Sequence, residues 1–289
     1  MWQQLLQQLI TGEQKALARA ISLVENEAEG YEQVMRSLPS VGSVQMIGIT
    51  GPPGAGKSTI VNELIAEYQD FKTCVLCIDP SSPFTHGAVL GDRIRMNQWY
   101  NHPRVYIRSL ATRGALGGLH PKIIEITELA RAAGFERIII ETVGVGQSEV
   151  EIAALADITI VVMVPESGDD IQMMKSGVME IADIFVVNKS DRPGSDKLIH
   201  NLHLVSSEHK AVPIIKMVAT EKKGITELKD QISAFQKFND PERKLRLLAD
   251  KAFHIIQTRK MKDIHREELY FELKKMKEIN LYKFIEKYC

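Results

Sequence analysis

Hydrophobic positions along the chain follow two periods. Over residues 2–38 they recur at helical spacing, with Leu5, Leu6, Leu9 and Ile10, then Ala16, Leu17, Ala20, Ile21 and Val24, sharing one face. Pro39-Ser40-Val41-Gly42 punctuates the end of this helical preamble. Short β-branched runs follow at 45–50, 73–79, 104–109, 137–141, 158–164, 184–188 and 212–217. Several are separated by amphipathic stretches of helical spacing, at 58–68, 122–133, 171–181 and 225–238. This alternation predicts an α/β fold with a mostly parallel central sheet flanked by helices. Beyond residue 241 the strand texture stops and the chain reads as helical, with Leu245, Leu248, Ala252, Phe253, Ile256, Leu273 and Met276 as its apolar positions. The predicted organisation is an N-terminal helical extension at 1–42, an α/β domain at 43–238 and a C-terminal helical extension at 239–289.

Composition narrows the class without touching the chemistry. The 289 residues are 25% charged and 44% hydrophobic, the balance of a soluble globular protein rather than a disordered one. Thirty-six Lys/Arg against thirty-seven Asp/Glu give a net charge of −1, so nothing global argues for nucleic-acid or membrane binding. The longest apolar runs, such as 158–164, are too short to span a bilayer. Residues 1–10 are rich in Gln and lack the basic start and apolar core of a signal peptide, so a cytoplasmic location is expected. Cys74 and Cys77 form a CxxC, but residues three apart on a strand face opposite ways, so the pair reads as buried core rather than as a metal or redox motif. The charge is uneven. Thirteen Lys/Arg against eight Asp/Glu in 241–289 give about +5, leaving about −6 elsewhere.

The strongest local motif is Gly51-Pro-Pro-Gly-Ala-Gly-Lys-Ser58, the GxxxxGK[ST] phosphate-binding loop, set between a strand and a helix. Gly54 and Gly56 permit backbone conformations closed to other residues, so successive N–H groups, including that of Ala55, turn inward on a phosphate. The helix N-terminus adds its dipole at the same point. Lys57 is expected to reach the β- and γ-phosphates, Ser58 to ligate Mg²⁺ and Thr59 to hold the α-phosphate. The fold is therefore expected to be that of a P-loop NTPase.

Asn188-Lys189-Ser190-Asp191 matches NKxD after a strand and selects GTP over ATP. The Asp191 carboxylate accepts two hydrogen bonds, from guanine N1–H and the 2-amino group, where adenine offers no donor. Asn188 is expected to brace neighbouring loops, and the Lys189 stem to cover the base. Val218-Ala219-Thr220 stands as the third base-side loop, with the Ala219 N–H directed at guanine O6 and Val218 where GTPases usually carry Ser. Asp79, Asp92 and Glu141 are the candidate Mg²⁺-associated acids. Asp79 and Glu141 end strands, where an open α/β sheet faces its ligand crevice. Glu141-Thr-Val-Gly144 looks like the DxxG loop with Glu for Asp, placing the Gly144 N–H on the γ-phosphate. Val145 occupies the place of the water-orienting Gln, and Gln147 is offset from it, so slow intrinsic hydrolysis is expected.

Together these segments resemble the MeaB/ArgK/MMAA-type GTPases. The resemblance spans about 43–228 and rests on 51–59, Asp79-Pro-Ser-Ser82, 86–96 (HGAVLGDRIRM), Arg113-Gly-Ala-Leu-Gly-Gly118, 141–149 (ETVGVGQSE), 168–175 (GDDIQMMK) and 188–191. It implies a GTP-binding and GTP-hydrolysing chaperone that gates cofactor loading and protection of an adenosylcobalamin-dependent acyl-CoA mutase such as methylmalonyl-CoA mutase. It further implies a homodimer whose arm is the C-terminal extension. The resemblance assigns Asp79, Asp92 and Glu141 to Mg²⁺ and Lys175 to a loop that senses the mutase. The candidate catalytic set is Lys57, Glu141, Gln147 and Lys175. His86 stands where many members have Gly. The alternatives are a nickel-delivery metallochaperone GTPase and an ArgK-like nucleotide-dependent kinase linked to amino-acid transport. The scattered histidines and Asp191 weigh against each in turn.

Overall fold

The seven β-branched runs pair into one sheet because each is apolar enough to be covered on both faces. The strands are β1 (Gln45–Thr50), β2 (Thr73–Asp79), β3 (Val105–Ala111), β4 (Arg137–Glu141), β5 (Ile158–Met163), β6 (Ile184–Val187) and β7 (Ile214–Lys216). Their order across the sheet is β3-β2-β4-β1-β5-β6-β7, and every pairing is parallel. The computed structural model describes residues 2–40, 42, 44–79, 96–113, 119–144, 149–165, 178–209, 212–237, 241–276 and 280–288. The chain divides into two units, Met1–Asp240 and Pro241–Cys289.

In the first unit the preamble forms three helices, α1 (Trp2–Ile10), α2 (Gln14–Glu25) and α3 (Tyr31–Arg36). Gly12 and Gly30, at φ 83° and 85°, supply the left-handed residues at the breaks between them. At Gly30 a side chain would press on the Trp2 indole, whose Nε1–H is bonded to the Glu29 carbonyl at 2.8 Å. The sheet is covered by α4 (Lys57–Glu67), α5 (Ile123–Ala132), α6 (Glu149–Ala153), α7 (Val178–Ile181), α8 (Ser195–His209) and α9 (Ile225–Lys237). Alternation within the strands sorts the core. Ile160, Val162, Ile184 and Val186 join Ile60 and Leu64 of α4 and Leu228 of α9 on one face. Val161, Met163, Phe185 and Val187 meet Leu198 and Leu202 of α8 on the other.

The outer strand β3 is not left bare. Gln14 of α2 donates through Nε2 to the carbonyls of Pro103 and Val105 at 3.1 and 3.2 Å. Cys74 and Cys77 lie in β2, buried and outside any disulfide. No helix among the described residues is long and apolar enough to cross a membrane.

The second unit carries α10 (Pro241–Lys260), α11 (Arg266–Lys275) and α12 (Leu281–Ile285). Phe284 is its buried anchor. Glu272 accepts from Tyr288 Oη at 2.7 Å and from Lys287 Nζ. Leu245, Leu248, Phe253 and Ile256 of α10 are exposed.

Candidate functional site

Parallel strands deliver their C-terminal ends to one edge of the sheet, and the chain reverses direction about β1 and β4, which is where an open α/β sheet forms its crevice. The loop after β1 runs into α4 through Gly56, which caps that helix at φ 91°. Two glycines here are dictated by close approach. A side chain at Gly51, φ 140°, would strike the Val162 carbonyl of β5. One at Gly56 would strike Nδ2 of Asn188. Gly54, at φ 74°, has open space and needs only the left-handed backbone. Ala55 is fully buried, Thr59 half-buried.

Lys57 and Ser58 open α4, and both side chains are buried. Lys57 Nζ donates to the Gly51 carbonyl at 2.9 Å and the Pro52 carbonyl at 3.1 Å, which holds the ammonium over the loop it belongs to. The Ser58 hydroxyl donates to Glu141 Oε1 at 2.6 Å, a short bond typical of an ionised acceptor. Glu141 is the last residue of β4. Its register partners are Ile49 in β1 and Cys77 in β2, so Asp79, two residues on from Cys77, lies at the same end of the neighbouring strand. Asp79 and Glu141 are 3% and 4% exposed, so a cation held by them would be withdrawn from bulk water. Ser58, Asp79 and Glu141 form an all-oxygen donor set, the chemistry that suits Mg²⁺.

Beyond Glu141 the chain turns across the phosphate loop. The Thr142 N–H donates to the Ile49 carbonyl at 3.0 Å, and its hydroxyl pairs with that of Thr50 at 2.8 Å, wholly buried. Gly144, φ 79°, then passes so close that a side chain would strike the Gly51 carbonyl and come 2.6 Å from Lys57 Nζ. The Thr50–Thr142 pair has no motif to announce it; its one sequence trace is a hydroxyl residue at the end of β1 and another just past the end of the adjacent β4.

On the far side, Asn188 follows β6 and is 3% exposed. Its Nδ2 donates to the Ala55 carbonyl at 2.8 Å, and its Oδ1 accepts from the Ala219 N–H at 3.1 Å. One carboxamide thus ties the phosphate loop to the segment after β7. A base carbonyl meeting the Ala219 N–H would have to share that donor with Asn188. Lys189 adopts φ 54°, and the Ser190 N–H donates to the Met217 carbonyl at 3.0 Å. Asp191 is exposed. Val218 is buried and bridges to Lys223, with Ala219–Glu221, including Thr220, in a 3-10 turn. The structure therefore gathers Gly51–Thr59, Asp79, Glu141, Gly144, Asn188–Asp191 and Val218–Thr220 along one edge of the sheet. Asp92, Gln147 and Lys175 lie outside the described residues.

A family model described as methylmalonyl Co-A mutase-associated GTPase MeaB matches residues 17–270. A putative GTPase of Pyrococcus abyssi is 45% identical over 246 residues, covering 81% of this chain and 76% of that protein. A fused isobutyryl-CoA mutase of Geobacillus kaustophilus is 40% identical over 204 residues, covering 66% of this chain and 19% of that protein. Among solved structures, an LAO/AO transport system kinase shares the fold, with a TM-score of 0.63 over 99% of this chain and 96% of that one at 24% identity.

Proposed function

The chain belongs to the MeaB family of methylmalonyl-CoA mutase-associated GTPases, and from that membership we propose that it binds and hydrolyses GTP to gate cofactor loading and protection of an adenosylcobalamin-dependent acyl-CoA mutase. The observation that carries the mutase assignment is the family match, which extends over most of the chain. The similarity to a fused isobutyryl-CoA mutase supports it.

In this reading the inward N–H groups of 54–59 and the α4 N-terminus hold the phosphates, and Lys57 leaves its loop carbonyls for the β- and γ-phosphates. Asp191 takes the two guanine donors, the Lys189 stem covers the base, and the Asn188 bridge keeps base loop and phosphate loop in register. Ser58, Asp79 and Glu141, with Asp92, would hold Mg²⁺, which would supply positive charge to neutralise the phosphates. Gly144 reports the γ-phosphate to the segment after it, where Gln147 serves the attacking water, and Lys175, in the later stretch 168–175, serves the partner. With Val145 following Gly144, hydrolysis is slow until that segment or the partner completes the site. The exposed apolar residues of α10 support a homodimer formed through the C-terminal unit.

Co-purification with candidate acyl-CoA mutases, with and without a non-hydrolysable GTP analogue, tests the assignment. Nucleotide-dependent capture of one mutase is expected, and its absence across the class overturns the chaperone reading. Glu141→Ala tests the site separately. It should lower Mg²⁺-dependent hydrolysis by about 100-fold while nucleotide affinity falls far less; hydrolysis at the parental rate would remove the carboxylate from its role.

A further inference from the structure

The turn that joins α2 to α3 makes more polar contacts with the sheet edge than docking three helices requires. β2 and β3 pair in register to their last residues, Asp79 opposite Ala111, and the Thr112 N–H then donates to the Asp79 carbonyl at 3.1 Å. The next residue, Arg113, stands at φ 48°, a left-handed conformation that non-glycine residues avoid unless their surroundings impose it. Its guanidinium shows what does. Nη1 donates to the Glu25 carbonyl at 2.7 Å, and Nη2 to Asn26 Oδ1 at 3.4 Å.

Glu25 also grips β3 from the other side of the Asp79 pairing. Its carboxylate, 9% exposed, accepts from Arg108 Nη2 at 2.5 Å, and Ser22 Oγ accepts from the same nitrogen at 3.1 Å. Two residues further on, Glu27 accepts from Lys122 Nζ at 2.8 Å, and Tyr31 Oη takes the same ammonium at 3.1 Å. One short turn therefore fixes Arg108, Arg113 and Lys122, and with them both flanks of Gly114-Ala-Leu-Gly-Gly118. Cohesion does not need this. Leu17, Ile21 and Val24 of α2, fully buried, already bind the helices to the domain. Both Arg113 bonds are exposed, and the part-buried Arg108–Glu25 pair is weak evidence for stability.

We propose that the α2–α3 turn is a positioning element of the nucleotide site, holding Arg113 through Glu25 and Asn26 and thereby setting the chain against Asp79. The proposal rests on the reading that Asp79 serves Mg²⁺. Arg113 is a positioning residue: it acts through Thr112 on the backbone of Asp79.

The test uses the full chain and compares R113A, R113G and D79N by three readouts. These are the Mg²⁺ concentration giving half-maximal GTP hydrolysis, the affinity for a fluorescent GDP without Mg²⁺, and the thermal midpoint. R113G relieves the backbone while removing the grip, so it separates strain from positioning. Both Arg113 variants should raise the half-maximal Mg²⁺ concentration about tenfold and leave Mg²⁺-free GDP affinity within about twofold, as loss of an outer-shell support does. In a D79N background, R113A should add nothing further. A shift with D79N but none with R113A or R113G overturns the positioning role alone. A parallel fall of thermal midpoint and both affinities overturns it in favour of plain stability. No shift with D79N overturns the magnesium reading of Asp79 and the proposal with it.

Discussion

Gly56 and Asn188 lie 132 positions apart and determine each other. The carboxamide of Asn188 crosses the phosphate loop so closely that no Cβ fits at Gly56, and the φ of 91° there disfavours any L side chain independently. Gly56→Ala should therefore lower stability by about 1–3 kcal/mol and weaken nucleotide binding, read by urea unfolding and fluorescent-nucleotide titration. Repeating it in an Asn188→Ala background separates the two causes. The steric part should vanish and the dihedral part persist, so full additivity would dissociate the pair. Asp191 offers the complementary test. Two hydrogen bonds from guanine to one carboxylate are worth about 3 kcal/mol or more, so Asp191→Asn should weaken GTP binding by roughly 100-fold or more and improve binding of xanthosine triphosphate. Unchanged base selectivity would detach Asp191 from the base.

At the scale of elements, the junction between α2, β3 and the entrance to α5 has its own pH dependence. His120 is 2% exposed. Burial first, then the nearby charges of Arg113, Lys122 and Arg108, lower its pKa from 6.5 to about 4. Glu25 Oε1, 3.7 Å from Nε2, pulls the other way and is outweighed. Nδ1 accepts from the Lys122 N–H at 3.0 Å, which fixes the ring as a neutral acceptor. The unfolded chain takes up the proton as pH falls through 6.5, while the folded chain does not until about 4. Stability is thus lost across that window and recovers as pH rises through it, by about 2 kcal/mol near pH 5. His120→Asn keeps an acceptor for the Lys122 amide and has nothing to titrate. The difference in unfolding free energy between about pH 5 and pH 7.5 should shrink by that amount; an unchanged slope would show that His120 titrates normally.

This junction also marks where the sequence stopped being informative. All seven strands were legible because a sheet covered on both faces writes each strand as a continuous apolar run. The phosphate loop and Asn188–Asp191 were legible because a backbone N–H cradle and the Asn188 bridge between loops each demand fixed residue types at fixed spacing. The grip of Glu25 on Arg108 and Arg113 obeys no such spacing. It joins residues more than eighty positions apart, and its only local trace is a charge inside the strand run Val105–Ala111. The edge strand β7, at three residues, was shorter than its apolar run suggested, because Pro213 has no N–H to give the ladder and joins it only through its carbonyl, which accepts from the Phe185 N–H at 2.9 Å.

At the scale of the molecule, the excess basic charge of 241–289 and the exposed apolar residues of α10 belong to the same unit. Leu245, Leu248, Phe253 and Ile256 are 56–68% exposed, a density of large apolar side chains that isolated soluble helices do not sustain. If that face pairs with its copy in a second chain, the positive charge must sit beside the seam rather than across it, since like charges meeting on the two-fold axis would oppose association. Phe253→Glu in the full-length chain buries a carboxylate in the proposed seam and leaves the nucleotide-bearing unit untouched. Light scattering coupled to size exclusion should report a monomer for the variant and a dimer for the parent. GTP affinity should agree between them within about twofold, because every candidate site residue falls between positions 51 and 220. A dimeric variant would move the contact off α10. A monomeric variant with weakened GTP binding would mean instead that pairing and nucleotide binding are coupled, and the coupling free energy would follow from the ratio of the two affinities.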